Sequence, residues 1–591
     1  MEDRRVFSVV FRERHRRAIE QRTEQVVDPK SEWYGRYLSR DELLSLIVLA
    51  DDEIRAVRQW FTGHNLKILD QGIMSRQHFL VEATSEQIRD AFGEHPEEWN
   101  EYQFDVRRVA RIIPESLAGP VQKISGLLDD EKQRASHTGT RGMPTAEPPD
   151  TASERADPSV AGHKPAGGPD GEAAGGMTPA DIRRIYEFPE EWDGDGETIA
   201  LVMFEGKLDR PSLEQFWRQH GIGPPDVEEV EVGPRPELRR QDQLSNLELA
   251  MSVEWAGALA PKARIVVYFV DPVIFADPWS AFLMEIIADD NRSPSVAAIS
   301  WVTPERDYYR KHGHRLVVGL LAQAACLGIT VVAAAGNWGP FDGLPRKEWN
   351  SQVVTDAAWP HGVFPAVEEC VLGVGGTMIT SREPLTEIGW SSPPPLHLQG
   401  KLAAEFVAGS GGFSDQVPLP RWQRFLDKRH FARGAANPSV LPYGRGFPDV
   451  AFMACGPVVQ EGARLSCRAY QAVSDGAWVN YAGGTSIGAP IWAAILAMAN
   501  QARRARGRGP VGWVNPLLYE KLRTRATPPA FRPIVHGTSD VVMSVLNKQG
   551  QSAPYRLGGY ECESDWDPVT GLGVPHVTNL IHHLCDERGD R

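Results

Sequence analysis

Cysteine is scarce, with six in 591 residues, at positions 326, 370, 455, 467, 562 and 585, and no CxxC spacing among them. In so long a chain they need not form a disulfide framework. Cys455 and Cys467 flank a predicted hairpin and are the one pair placed to join. No run of 18 apolar residues exists, so no membrane span is expected. The opening residues, Met1-Glu-Asp-Arg-Arg-Val-Phe-Ser-Val-Val-Phe-Arg12, alternate like a strand and contain no apolar core of signal length. The expected location is cytoplasmic, unless an export route needing no signal is used. Positive charge is in deficit: 63 Lys and Arg face 78 Asp and Glu, a net charge of −15. That balance argues against nucleic acid and against an anionic membrane surface as partners. The hydrophobic content of 42% and charged content of 24% are those of a soluble globular protein, with chain enough for two or three domains.

Three regions follow. Residues 1–114 read as a small α+β domain. Strand-like 6–11 and 78–83 alternate with helical 40–62 and 84–92, the last opening on a capping box at Thr84, and 106–113 completes a β-α-β-α-β order of ferredoxin-like type. Residues 115–176 are rich in Gly, Pro, Ala, Asp and Ser, which bury too little to offset their ordering entropy, so a disordered, protease-accessible linker is expected. From 177 to 591 one α/β domain is predicted. Apolar strands at 197–204, 263–270, 295–301 and 329–335 alternate with helices at 211–220, 245–259, 279–288 and 315–327. Such alternation implies a parallel sheet covered on both faces, with ligands bound beyond the carboxyl ends of its strands.

The chain is organised around Tyr481-Ala-Gly-Gly-Thr-Ser486-Ile-Gly-Ala-Pro490 and the apolar run after it. Two glycines permit a tight turn, and Pro490 is expected in the first helical turn, where its missing N–H goes unused. Ser486 would then stand at the positive end of a buried helix, where developing negative charge is stabilised. The plainer reading is that Thr485 and Ser486 cap that helix. The formal match Gly484-x-Ser486-x-Gly488 to a nucleophile elbow is weak without its strand-turn-helix context.

Two further residues carry paired readings. Ser245-Asn-Leu-Glu248 is a capping box by spacing, or else Glu248 is a general base whose pKa burial lifts towards the working pH. Asn337, in Ala333-Ala-Ala-Gly-Asn-Trp-Gly339, is a tolerant loop residue or a side-chain amide donating to an oxyanion. No histidine has a setting that suits a catalytic partner: His312 and His314 lie in a charged loop, and His582 and His583 on a C-terminal helix. A conventional subtilisin would need a histidine opening the helix at Ser245. An α/β-hydrolase order is supplied by Ser486, Asp567 and His576, but too few strands follow the serine.

Taken together these stretches resemble the sedolisin family of serine-carboxyl peptidases, kumamolisin-like in particular. The resemblance rests on Asp28-Pro-Lys-Ser-Glu-Trp-Tyr-Gly-Arg-Tyr-Leu38, Thr178-Pro-Ala-Asp-Ile-Arg-Arg-Ile-Tyr186, Val253-Glu-Trp-Ala-Gly-Ala-Leu-Ala-Pro261, Gly409-Ser-Gly-Gly-Phe-Ser414, Phe447-Pro-Asp-Val-Ala451, Gly483-Gly-Thr-Ser-Ile-Gly-Ala-Pro490, Asn515-Pro-Leu-Leu-Tyr519 and Asp567-Pro-Val-Thr-Gly-Leu-Gly573. It implies a subtilisin-like parallel sheet with helices on both faces, preceded by an inhibitory prodomain, and a protein or peptide substrate. It places the nucleophile on Ser486, the base on Glu248, the oxyanion residue on Asn337 and a cleft-lining tryptophan on Trp301. The family's aspartate one helical turn after the glutamate falls on Ser252, and its oxyanion aspartate on Asn337. An aspartate donates only when protonated, whereas an asparagine donates at every pH, so activity nearer neutral pH is expected. Ser252 can hydrogen-bond Glu248 but cannot share a proton as a second carboxyl does, which leaves a weaker third partner and an alternative: a degenerate peptidase that binds peptides or regulates. A structural calcium ion is also implied, at Asp567 and the backbone of Ile534, although Pro533 replaces one acidic ligand and extra carboxylates stand in Glu563-Ser-Asp-Trp-Asp567.

Overall fold

The computed structural model describes residues 4–69, 77–92, 117, 119–125, 175–233, 243–272, 274–275, 277–341, 360–393, 404–426, 444–461, 464–523, 526–546 and 551–585. The N-terminal domain contains β1 (Arg4–Phe11), α1 (Arg16–Val27), α2 (Arg40–Ile47), α3 (Asp51–Gly63), β2 (Lys67–Leu69), β3 (His78–Thr84), α4 (Ser85–Phe92) and β4 (Val121–Ser125). The strands form one antiparallel sheet in the order β2-β3-β1-β4, which is the ferredoxin-like arrangement expected. The capping box forms at the start of α4, with Thr84 N–H donating to Gln87 Oε1 at 2.8 Å and Gln87 N–H to Thr84 Oγ1 at 3.2 Å. One strand of this sheet was not expected from the sequence. It is β4, inside the stretch expected to be linker, because Val121 and Ile124 bury their side chains in the domain's own core. The strand expected at 106–113 and most of the expected linker lie outside the described residues.

Period-2 alternation divides the faces of this sheet. Phe7, Val9 and Phe11 of β1 join Phe61, Phe79 and Val81 in a core belonging to the domain itself. Val6 and Val10 turn the other way and join the large core of the following domain. Val10 pairs with His78 on one side and Lys123 on the other, so a single cross-strand row faces the larger domain.

The larger domain is built on an eight-stranded sheet. Its parallel part comprises β5 (Thr198–Met203), β6 (Val227–Val232), β7 (Arg264–Val270), β8 (Val296–Ile299), β9 (Thr330–Ala334), β10 (Val371–Arg382) and, in sequence after the antiparallel hairpin strand β11 (Leu385–Gly389), β12 (Val450–Cys455). The order is β11-β10-β9-β8-β5-β7-β6, with β12 also paired to β10. The unbroken Val, Ile and Ala runs of β5, β8 and β9 are what burial on both faces requires. Helices α5 (Gln243–Leu259) and α8 (Thr485–Arg504) pack on each other, as do α6 (Pro278–Ala288) and α7 (Arg315–Cys326). Helix α8 is buried almost along its whole length and runs against β8, β9, β10 and β12.

The N-terminal domain sits on α6 and α7. Thr23 Oγ1 donates to Ala322 O at 3.1 Å, Leu38 N–H to Cys326 O at 2.9 Å, Arg40 Nε to Ile287 O at 3.1 Å and Tyr37 Oη to Val511 O at 2.8 Å. All six cysteines are free thiols, so Cys455 and Cys467, although placed together, are not joined.

Candidate functional site

Four chain segments converge at the carboxyl ends of the central strands. The first is the turn into α8. Gly484 is its N-cap residue, at φ 90°, and Thr485 and Ser486 are the first two helical residues rather than caps. The positive φ requires glycine, and space does too, because a side chain at Gly484 would meet the Asn337 amide at 3.2 Å. Ser486 therefore carries its hydroxyl at the positive end of a 20-residue helix, and its own N–H is among those without an intrahelical acceptor. Pro490 is in the second turn, not the first as expected from sequence. The strand before this turn belongs to a two-stranded ribbon, Tyr470–Ser474 with Ala477–Ala482, and not to the central sheet, so the turn is not a nucleophile elbow.

Asn337 comes from the loop after β9. Its Oδ1 accepts the Thr485 backbone N–H at 2.9 Å and faces the Thr485 hydroxyl at 3.1 Å. A backbone N–H can only donate, so the oxygen of the amide must face the helix. The Nδ2 side is thereby turned away from Thr485, towards the space beside Gly484. The Thr485 hydroxyl also bridges Gly336, at 3.0 Å from both its N and its O, and locks the loop to the helix.

Glu248 comes from α5, which begins at Gln243, two residues before the predicted cap. Ser245 donates to Glu205 at 3.0 Å and does not cap Glu248, so the capping-box reading fails. Glu248 faces the hydroxyls of Ser486 and Ser300, which hold its pKa down, while its Oε1 has no hydrogen-bond partner among the described residues. Its side chain keeps some surface on the cleft, but Oε1 is shut off from solvent. Burial pushes its carboxyl up to about 8, against the lowering effect of the two hydroxyls.

Ser252 follows one turn later on the same helix and is only 1% exposed. Its hydroxyl has no hydrogen-bond partner among the described residues. The expected contact with Glu248 is thus not made. Ser300, which sequence reasoning passed over, stands just past the end of β8 and donates to the Ser486 carbonyl at 2.9 Å; its position immediately before Trp301, beyond an apolar strand, was the available signal. Trp301 is 8% exposed, and its indole sits against Phe204 and Met203 while its carbonyl accepts Trp279 Nε1 at 2.9 Å.

Of the residues of the expected calcium site, Asp567 is engaged with its own loop. Asp567 Oδ1 already accepts the Val569 and Thr570 N–H groups, each at 2.8 Å, and Oδ2 accepts Glu563 N–H at 3.1 Å. Burial raises its carboxyl to about 8. Ile534 is a buried apolar side chain with its carbonyl to offer, and no group of three His, Cys, Asp or Glu placed to hold a metal ion occurs among the described residues. The α/β-hydrolase order fails too, since His576 Nδ1 stands 3.3 Å from Glu187 while Asp567 is spent on its own turn.

Residues 3–129 match the family described as pro-kumamolisin, activation domain. Over 546 residues the chain is 30% identical to kumamolisin of Bacillus sp. (strain MN-32), covering 90% of this chain and 83% of that protein. It is 23% identical to tripeptidyl-peptidase 1 of Mus musculus, covering 98% of this chain and 91% of that protein. The fold is similar to that of Pseudomonas sedolisin, a serine-carboxyl proteinase solved with two molecules of pseudo-iodotyrostatin. The TM-score is 0.51 at 18% identity, over 70% of this chain and 99% of that one.

Proposed function

The chain belongs to the sedolisin family of serine-carboxyl peptidases, and we propose that Ser486 is its nucleophile, Glu248 its general base and Asn337 its oxyanion donor. The observation that carries this reading is the packing of α5 on α8, which brings the buried Glu248 carboxyl to the helix start that carries Ser486 and holds Asn337. Ionised Glu248 takes the hydroxyl proton as Ser486 Oγ bonds to the scissile carbonyl carbon. The oxygen of that carbonyl, now negative, is met by Asn337 Nδ2 and by backbone N–H at the start of α8. Glu248 then hands its proton to the departing amine, leaving an acyl ester on Ser486. Water attacks the ester with Glu248 again as base, and the acid product leaves.

Two features set the working pH. Asn337 donates whatever the pH, and Glu248 must lose a proton that burial holds up to about 8. Turnover is therefore expected to climb from acid towards neutral and mildly alkaline pH. The substrate is a protein or peptide, and the chain's own N-terminal domain is its intramolecular inhibitor, released by cleavage beyond β4. A second reading, a catalytically degenerate relative that binds peptides, is favoured by the unpartnered hydroxyl of Ser252. Incubating wild type and Ser486→Ala across pH, with cleavage between the domains followed by mass spectrometry, separates the two. Cleavage by wild type alone supports the peptidase. A wild-type chain that neither cuts itself nor reacts with a serine-directed phosphonate supports the binding protein.

A further inference from the structure

We propose that Tyr37 is the latch of the N-terminal domain, a phenol seated in a glycine-lined socket on the peptidase domain, and that it keeps the domain bound after the chain is cut beyond β4. The proposal rests on the reading of that domain as an intramolecular inhibitor.

The socket is made of backbone. Tyr37 is half-buried between Gly328, in the turn before β9, and Gly509 and Gly512, past the end of α8. Its hydroxyl donates to Val511 O at 2.8 Å. A side chain at any of the three glycines would run into the phenol. A Cβ at Gly328 would stand 2.9 Å from Tyr37 Cγ and Cδ2, one at Gly509 3.3 Å from Cδ2, and one at Gly512 2.5 Å from the hydroxyl oxygen. Backbone geometry accounts for glycine at 328 and 512, where φ is 79° and 66°. It does not account for Gly509, which is not among the residues of positive φ. The three atoms nearest to its missing side chain are Gly35 O, Tyr37 Cδ2 and Tyr37 Cε2, all of the N-terminal domain. Glycine at 509 therefore leaves room for the docked domain.

The peptidase domain holds the socket in shape. Asn500 Oδ1 of α8 accepts the Val511 N–H at 2.8 Å, Arg503 Nε donates to Gly509 O at 2.7 Å, and Thr330 Oγ1 at the start of β9 donates to Gly512 O at 2.6 Å. These anchors stand at the far ends of the two elements that lead to Ser486 and Asn337. Asn500 is about four turns along α8 from Ser486, roughly 20 Å. Tyr37 thus supplies attachment and does not itself obstruct the catalytic turn. A tyrosine suits the task, since its ring buries apolar area while its hydroxyl satisfies a carbonyl. On either side the chain is tied to both domains: Gly35 N–H donates to Val26 O of α1, and Leu38 N–H to Cys326 O of α7, each at 2.9 Å. A cut beyond β4 breaks none of these contacts. The severed domain stays until Tyr37 leaves, and the cleared socket fits a phenol side chain.

The test uses the full chain carrying Ser486→Ala, so that nothing is cut, and reads the rate at which iodoacetamide alkylates Cys326, by peptide mass spectrometry. That thiol is buried against α1, with Thr23 Oγ1 at 3.3 Å and Ile19 O at 3.5 Å, and is reached when the domain lifts. Cys455, inside the peptidase core, reports global unfolding instead. Gly509→Leu fills the socket and Tyr37→Ala empties it; each is expected to speed alkylation of Cys326 by roughly 10-fold to 100-fold, the effect of losing an interface anchor, with Cys455 unchanged. Tyr37→Phe keeps the ring, loses the bond to Val511 O and should fall between. The double variant should be no faster than the faster single one, since both changes remove one contact. Gly509→Leu carries the test should Tyr37→Ala disturb the N-terminal domain itself. Wild-type alkylation in both single variants, or a double variant whose fold-change is the product of the two, overturns the latch. With Ser486 restored, Gly509→Leu should shorten the lag before casein is digested by a similar factor. Faster alkylation with the lag unchanged overturns the inhibitor reading and leaves the latch in place.

Discussion

His78 Nε2 of the N-terminal domain stands 3.8 Å from Glu285 Oε1 of the peptidase domain, and neither ring nitrogen of His78 has a hydrogen-bond partner among the described residues. On the same cross-strand row, Lys123 Nζ lies 4.0 Å from Asp277. The histidine also meets the Phe275 ring edge-on, and burial drives its pKa down to about 3.

Docking of the N-terminal domain is expected to weaken on acidification. In the docked state burial depresses the pKa of His78, whereas freed into water it returns to an ordinary value near ~6.5. The undocked state therefore binds the extra proton, and docking loses strength as pH falls from the free value towards about 3. In Ser486→Ala, hydrogen exchange over α6 should rise as pH falls through this window. His78→Phe should abolish the dependence; an unchanged profile in that variant would refute the assignment.

Asn337→Asp keeps the acceptor that holds the Thr485 N–H but replaces the donating Nδ2 by a group that donates only when protonated. At neutral pH kcat should fall by roughly 10²–10³-fold, the usual effect of losing an oxyanion donor. The loss should shrink on acidification, moving the optimum to lower pH. A uniform loss at every pH would place Asn337 outside the oxyanion site.

Glu248→Gln separates catalysis from stability. Activity should disappear while the fold becomes more resistant to alkali. Folding raises the Glu248 pKa to about 8, so its stabilising contribution is complete below the unfolded value and vanishes as pH rises through about 8. Thermal melts should therefore favour the variant at pH 8 and converge with wild type at acid pH.

Ser252→Ala removes a buried hydroxyl that has no partner among the described residues. An unsatisfied polar group of this kind costs about 1–3 kcal/mol, so the variant should melt at the same temperature as wild type or above it. A clear drop in Tm would reveal a partner for this hydroxyl.

Chelation should leave the melting temperature unchanged. The carboxylate of Asp567 is occupied by three backbone N–H groups, and no group of three His, Cys, Asp or Glu among the described residues is placed to hold a metal ion. A fall of several degrees in EDTA, reversed by calcium, would show that the loop rearranges around an ion.

The sequence by itself determined the elements and their kind. Continuous apolar runs such as 329–335 have few ways to be satisfied except as inner parallel strands, and the alternation in 6–11 decides which side chains face which core. Two glycines before Thr485 specify a turn, and the order of motifs specifies the family. Spacing alone misjudged what depends on neighbours distant in the chain. Ser245 and Glu248 have the spacing of a capping box, yet Ser245 donates to Glu205 and the packing of α5 on α8 carries Glu248 towards Ser486. Ser300 stands 186 positions from Ser486 along the chain, yet it donates to the Ser486 carbonyl. The strand closing the N-terminal sheet fell where composition suggested linker, because its few apolar side chains have a core waiting for them. Propensity and periodicity act over a few residues, whereas hydrogen-bond partners and pKa values are set by desolvation and by which segments packing brings together, and that only the tertiary structure decides.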